Sequence, residues 1–239
     1  MNAIEGVERG PVGGATARRE QNRREMRLAI LDAARAIVDA QGADKLTLRG
    51  IAQRLGYSAG AMYDYFPSKE HILHALYFLG TDGLGQHLAT TVEALPPDTP
   101  TIDAIAALAR TYRAYAHAHV ELYWLAFSGL KARPVSDDCD LEEQQFSTGG
   151  FLPLLTLIDA GIANGTLIDT VEPMAIAAAA WSGVHGFVSL ELGGHLSPQV
   201  FTGQPWPEDA AGDDQTIRDD LFETLIRTLL YGFVRRPTP

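Results

Sequence analysis

Between Leu46 and Leu73 the chain reads LTLRGIAQRLGYSAGAMYDYFPSKEHIL, and this one segment gathers side chains suited to gripping a polyanion. Thr47 and Ser58 are short hydroxyl residues that cap helix N-termini, where amide groups and the helix dipole attract phosphate. Arg49 and Lys69 bring positive charge, and Tyr63 and Tyr65 bring phenol hydroxyls. Ala59, Gly60 and Ala61 carry no polar side-chain atoms. They make none of the bidentate base contacts that contribute about 1–3 kcal/mol of discrimination each. Sequence selectivity would then rest on Arg49, Ser58, Tyr63 and Tyr65, on thymine methyl contacts and on duplex shape. Phe66 is expected in the core, and Tyr63 outward.

Two short helices must position these groups. The first runs from Thr47 to Leu55 with Leu48, Ile51, Ala52 and Leu55 on one face, and the second from Ala59 to Tyr65. Leu55-Gly56-Tyr57-Ser58 joins them, and glycine permits the left-handed backbone of a tight helix-turn-helix. In such a unit the first helix packs beneath the second, which lies in the major groove. Residues 1–17 are Gly-rich and read as a disordered arm. A helix follows over Arg18–Gln41, with Leu28, Ile30, Leu31, Ala34, Ile37 and Val38 at three-to-four spacing and Gly42 as its stop. Ser68 caps another helix through Ile72, Leu73, Leu76, Tyr77 and Leu88 as far as about Pro96. Beyond the linker Leu95–Pro100, helices are predicted over Thr101–Ala118, Val120–Phe127, Leu141–Ala163, Pro173–Leu192 and Gln215–Phe233, with Ser197–Asp214 as a long loop. No sustained period-two alternation marks a strand. The fold class is all-α, about nine helices: a three-helix helix-turn-helix domain over 18–75 and a second helical domain over 76–236.

The net charge of −11 argues against a nucleic-acid partner only when taken whole. Residues 1–75 hold eleven Lys and Arg against nine Asp and Glu, and residues 76–239 hold eight against twenty-one. Such asymmetry is the footprint of a chain that meets a polyanion at one end. The single cysteine, Cys139, sits among Asp137, Asp138 and Asp140. It precludes an internal disulfide, fits a reducing cytoplasm, and is disfavoured as a thiolate by its carboxylate neighbours. The N-terminus has no apolar signal region, and the Ala-rich run Met174–Leu192, interrupted by Ser182, His185, Ser189 and Glu191, reads as a core helix rather than a membrane span. Enzyme signatures fail in turn. There is no nucleophile elbow or Walker loop, and Gly83-Leu-Gly85 lacks the third glycine of a dinucleotide loop. His71 and His74 have no ligand partners at metal spacing, and His117 and His119 cannot share a helix face. Neither catalysis, a cofactor nor a metal is expected.

The run from Leu46 to Leu73, preceded by Ala29-Ile30-Leu31-Asp32-Ala33-Ala34, resembles the DNA-binding domain of the TetR family of repressors, whose signature is LT…IA…G…YxxFxxKexLl. The resemblance implies that Thr47 and Arg49 touch phosphate and that Ser58, Ala59, Gly60 and Ala61 face bases or backbone. It further implies that Tyr63, Tyr65 and Lys69 hold phosphate, and that Arg18, Arg19 and Arg23 add phosphate or minor-groove contacts. The implied protein is a repressor that binds an inverted-repeat operator as a homodimer and is released by a small-molecule effector. A helical protein-binding module without DNA affinity is the alternative that the small residues at 59–61 leave open.

Trp181-Ser-Gly-Val-His185-Gly186-Phe187 resembles the motif that names the WHG class of C-terminal domains in the same family, which implies ligand binding and dimerisation. Leu221, Leu225, Leu229, Ile226 and Leu230 form a wide apolar stripe. Together with the Ala175–Ala180 run it suits a four-helix bundle across a two-fold axis. Aromatic residues gather in the middle helices, and the expected effector pocket draws on Arg110, Tyr112, Tyr115, Trp124, Phe127, Phe151, Trp181 and His185, with Tyr123, His117 and Asn164 nearby. Pockets of this kind are apolar with few polar groups, so the effector is expected to be apolar or aromatic.

Overall fold

The structure is a computed structural model that describes residues 13–127, 150–196 and 214–236. Among the described residues it is all-α, and the chain divides between Leu76 and Tyr77 into two compact units. Cys139 lies outside the described residues, as do the expected helical residues 141–149 and most of the expected loop over 197–214.

In the first unit, α1 (Gly13–Gln41) ends at Gly42, whose φ of 85° suits only glycine. One 3-10 turn (Ala43–Lys45) leads into α2 (Leu48–Leu55). The Thr47 hydroxyl accepts from Gly50 N at 3.0 Å and so caps α2. Leu48, Ile51 and Ala52 form the buried face, and α2 packs against α1 and α3. Gly56 closes the helix in the left-handed conformation, φ 75°, with Tyr57 N donating to Ala52 O at 2.9 Å. The Ser58 hydroxyl accepts from Ala61 N at 3.3 Å and starts α3. Two expectations are corrected here. The last residues of the predicted arm, from Gly13, are helical, while residues 1–12 lie outside the described residues. And α3 spans Ala59–Met62 rather than reaching Tyr65. After Met62 the chain continues in turns, with Phe66 N donating to Met62 O at 3.0 Å, because Pro67 keeps the residue before it out of helix. Ile30, Val38, Leu46, Ile51, Met62, Phe66, Ile72 and Leu76 make the interior. Leu28, expected on the apolar face of α1, is 52% exposed.

α4 (Lys69–Ala94) is continuous through the boundary between the units. The second unit then holds α5 (Thr101–Ala118), α6 (Val120–Phe127), α7 (Leu152–Ala163), α8 (Pro173–Leu192) and α9 (Asp214–Tyr231). α7 begins at Leu152 because Gly150 precedes it and Pro153 suits a first helical turn. α8 packs on α5, α7 and α9. The core joins Leu84 and Leu88 of α4, Ile105, Leu108 and Tyr112 of α5, Ile158 of α7, Ile176 and Val188 of α8, and Phe222, Ile226 and Leu230 of α9. An isolated antiparallel bridge, Leu167 with Val234, ties the chain after α9 to that after α7. α8 is the one helix among the described residues long and apolar enough to cross a membrane. Its buried face and the paired carboxylate of Glu191 tie it into this unit instead.

The expected apolar stripe of α9 is corrected in part. Ile226 and Leu230 face the interior, while Leu221 is 40% exposed and Leu225 and Leu229 are half-buried. On α8 the exposed positions include the small residues Ala175, Ala178, Ala179 and Ser182, beside Met174, Trp181 and Leu190. α8 and α9 approach closely at Gly183, where an added Cβ would stand 2.1 Å from Leu229 Cδ1.

Candidate nucleic-acid interface and ligand site

The helix-turn-helix carries its polar groups at the starts of α2 and α3, at the end of α3 and at the start of α4. Thr47, Arg49, Ser58, Gly60 and Tyr63 are exposed, and Ala59, Ala61, Tyr65 and Lys69 are half-buried. Tyr63 is 59% exposed whereas Phe66 is 1% exposed, so two aromatics three residues apart part company between solvent and core. Met62 anchors α3 from below, being fully buried. The Lys69 ammonium donates to Asp44 O at 3.2 Å, which places this cation beside the chain that enters α2. The Thr47 and Ser58 hydroxyls are occupied in capping, which leaves the neighbouring amides to define the helix N-termini. Ser68 caps α4 by accepting from Glu70 N at 3.2 Å, and donates to the Glu70 carboxylate at 2.5 Å. That hydrogen bond holds the Glu70 pKa below its usual value.

The arginines of α1 divide into two kinds. Arg27 donates to Tyr65 O at 2.7 Å and lies 4.3 Å from the Phe66 ring centre, so it braces the turn after α3. Arg23 lies 5.9 Å from the Tyr65 ring centre. Arg18, Arg19 and Arg24 stand on an exposed stretch of helix. Only the fold shows that a residue 38 positions from Tyr65 holds its backbone.

In the second unit an aromatic cluster surrounds His185. The Trp181 ring stacks on it at 5.4 Å, Phe127 lies at 4.4 Å, and Tyr123 and Tyr112 lie at 5.5 and 6.4 Å. Phe151 meets Trp181 at 6.3 Å and Trp124 meets Tyr123 at 5.4 Å. The Tyr112 and Tyr123 hydroxyls both lie 2.9 Å from His185 Nδ1, and Tyr123 reaches Ser189 Oγ at 2.7 Å. Burial lowers the His185 pKa and so keeps the imidazole neutral. Burial first, then the nearby Tyr123 hydroxyl, pushes the Tyr112 phenol up. Beside this cluster a cavity of about 50 Å³ is lined by Leu88, Ile105, Leu108, Leu154 and Val184 together with Tyr112 and Trp181.

Six of the eight expected pocket residues thus come together: Tyr112, Trp124, Phe127, Phe151, Trp181 and His185. Two go elsewhere. Arg110 pairs bidentately with Glu223 at 2.6 and 2.7 Å on an exposed surface. Tyr115 donates to Gly80 O at 2.9 Å and leans on His119. Asn164 is a structural residue that donates to Thr101 Oγ1 at 3.2 Å. His117 joins Glu191 at 2.8 Å. The sequence reading missed Ser189, although its spacing of four from His185 puts the two on one helix face. It also missed the buried ion cluster in which Arg113 grips Glu191 and meets Asp219 at 2.6 Å. The signal was a lone glutamate inside an apolar helix, since a buried charge demands a partner. Among the described residues no group of three or more His, Cys, Asp or Glu is placed to hold a metal ion.

Comparison with known proteins places both units. Residues 30–76 match the family model for bacterial regulatory proteins of the tetR family, and residues 105–229 match the tetracyclin repressor-like C-terminal domain. An uncharacterized HTH-type transcriptional regulator of Mycobacterium tuberculosis is 25% identical over 212 residues, 89% of this chain and 83% of that protein. The HTH-type transcriptional repressor KstR of Mycolicibacterium smegmatis is 40% identical over 60 residues, 25% of this chain and 27% of that protein. A solved protein of unknown function from Rhodococcus sp. RHA1 shares the fold with a TM-score of 0.65 at 23% identity, covering 87% of this chain and 95% of the other.

Proposed function

The chain belongs to the TetR family of transcriptional regulators, and we propose that within it this protein is a repressor that binds an inverted-repeat operator as a homodimer and leaves it when a small molecule occupies the second unit. The observation that carries the reading is the exposed Arg49 at the start of hydroxyl-capped α2 and the exposed Tyr63 at the end of hydroxyl-capped α3, with Lys69 held beside the chain that enters α2. Cations and helix N-termini supply most of the affinity for duplex DNA. In this reading Thr47, Arg49, Tyr63, Tyr65 and Lys69 hold phosphate, and Ser58, Ala59, Gly60 and Ala61 face the bases. The matched Mycolicibacterium relative is a transcriptional repressor, which supports the direction of regulation.

The homodimer reading rests on the outward faces of α8 and α9, where small residues on one helix adjoin Leu221, Leu225 and Leu229 on the other. A two-fold pair would space two recognition helices by about 34–36 Å or a multiple, one per half-site. α8 lines the cavity through Ala180, Trp181 and Val184 and turns Ala178, Ala179 and Ser182 outward. A ligand that displaces α8 therefore alters the dimer, and the continuous α4 carries the shift to the helix-turn-helix as a change in population. No membrane partner is proposed, and the protein acts in the cytoplasm, where its operator is.

The test is footprinting of the DNA flanking the gene with the purified full-length chain. Protection of an inverted repeat, with a stoichiometry of two chains or a multiple, is expected. Protection of a single half-site by one chain, or no protection, contradicts the proposal.

A further inference from the structure

We infer that the second unit takes a neutral, mainly hydrocarbon effector bearing one carbonyl or hydroxyl oxygen at its end, and that this oxygen seats on the Tyr112 hydroxyl. The inference rests on the effector-release reading above and names the class of molecule that reading leaves open.

Three observations carry it. First, the cavity beside the aromatic cluster is walled by hydrocarbon side chains, and among the described residues that line it the only polar side-chain atoms are the Tyr112 hydroxyl and the Trp181 indole N–H. Such a wall accepts apolar surface, while a few placed polar groups fix orientation. Second, Tyr112 is one end of a chain of neutral hydrogen-bonding groups, Tyr112, His185, Tyr123 and Ser189. Two phenol hydroxyls converge on one imidazole nitrogen, Nδ1, each at 2.9 Å. That nitrogen offers one lone pair or one proton and satisfies one of them in line. The second hydroxyl can therefore turn to a ligand oxygen without orphaning the ring. Third, the arginines of α5 and the glutamate of α8 are paired elsewhere. Arg113 holds Glu191 and Asp219, and Arg110 holds Glu223. Among the described residues no charged side chain lines the cavity. A carboxylate or phosphate seated there would lie desolvated with no counter-charge, which is unfavourable.

Space supports the same class. A cavity of about 50 Å³ must widen before a ligand of ordinary size is enclosed. A second void of about 10 Å³ is lined by Gly80, Leu84, Tyr112, Leu122 and Phe127, so Tyr112 borders both spaces. A flexible or flat hydrocarbon exploits such slack, whereas a bulky hydrated group does not.

A matched series tests this with the full-length chain: 2-dodecanone, dodecane and dodecanoate, titrated by tryptophan fluorescence and by thermal shift. The ketone is expected to bind at least about tenfold more tightly than the carboxylate, because nothing balances the charge. Tyr112→Phe is expected to weaken the ketone by about fivefold, the size of one hydrogen bond, and to leave dodecane unchanged. Ala180→Val narrows the cavity and is expected to weaken both neutral ligands, with the far-ultraviolet circular dichroism unchanged. Tighter binding of dodecanoate, an unchanged ketone affinity in Tyr112→Phe, or no binding of any member overturns the inference. DNA release is read separately on the flanking DNA. Ketone binding with Tyr112 dependence but no loss of DNA affinity sustains the ligand class and refutes effector release. Release of DNA by an unrelated charged compound does the reverse.

Discussion

Glu191→Gln is expected to lower the unfolding free energy at pH 7 by about 2–3 kcal/mol. The Glu191 side chain is 2% exposed and receives Arg113 through Nε at 2.8 Å and through Nη2, and His117 Nε2 at 2.8 Å. Removing one member of a buried ion pair costs about 3–5 kcal/mol, because the other charge is left uncompensated. The cost here falls below that range for two reasons. Arg113 retains Asp219 at 2.6 Å and the Phe222 ring at 4.9 Å, and His117 is 40% exposed and can turn to water. Each kcal/mol moves the Tm of a chain of this size by about 2–4 °C, so a drop of roughly 5–10 °C is expected. The effect depends on pH. Burial alone would raise the Glu191 pKa, but the hydrogen bonds from Arg113 and His117 outweigh it and hold the pKa below the usual carboxylate value. A carboxyl depressed in the folded state stabilises fully above its unfolded pKa and loses that contribution as pH falls through the folded one. The gap between the two proteins should therefore be full near neutrality and close below about pH 4. Scanning calorimetry at matched protein concentration from pH 7 downward reads both effects. A Tm within about 2 °C of the parent at pH 7, or a gap that does not narrow in acid, would refute the reasoning.

Lys69→Ala should weaken binding to all duplexes alike and reduce the slope of log K against log salt by about one, read by fluorescence anisotropy at several salt concentrations. Thr47→Val removes the cap of α2 and should destabilise the helix-turn-helix by about 1 kcal/mol in denaturant unfolding. On α8 two glycines should respond with opposite sign. Gly183→Ala drives a methyl into Leu229 Cδ1 and should cost about 1–3 kcal/mol, whereas Gly186→Ala meets nothing within 4 Å and should gain about 0.5–1 kcal/mol. Ala178→Arg on the outward face of α8 should convert the proposed homodimer to monomer in sedimentation, with the helical signal retained.

Much of the first unit was legible because its signals are local. A cap hydroxyl, a glycine where φ must be positive and an apolar residue every three or four positions specify α2 and its turn without reference to distant residues. The end of α3 was misplaced because the pull of Pro67 competes with an apolar pattern that continues to Phe66. In the second unit the aromatic residues were recognisable as a group, but their partners were not. Tyr112 and His185 are 73 residues apart and Arg113 and Glu191 are 78 apart, so only the packing of α5 on α8 joins them. Arg110 misled for the same reason, since its partner Glu223 lies 113 positions away. The stripe on α9 was half right: periodicity marks an apolar face wider than one interface and does not say which edge the monomer buries.

The central claim is that the segment carrying Arg49, Tyr63 and Lys69 grips duplex DNA through its phosphates. Salt titration of the full-length protein on its flanking DNA tests this most directly. In the proposed homodimer, where each of two subunits contributes Arg49 and Lys69, log K should fall with log salt at a slope of about −4 or steeper, and the double variant Arg49→Ala, Lys69→Ala should flatten it. A salt-independent affinity, or a slope the double variant leaves unchanged, would contradict the account.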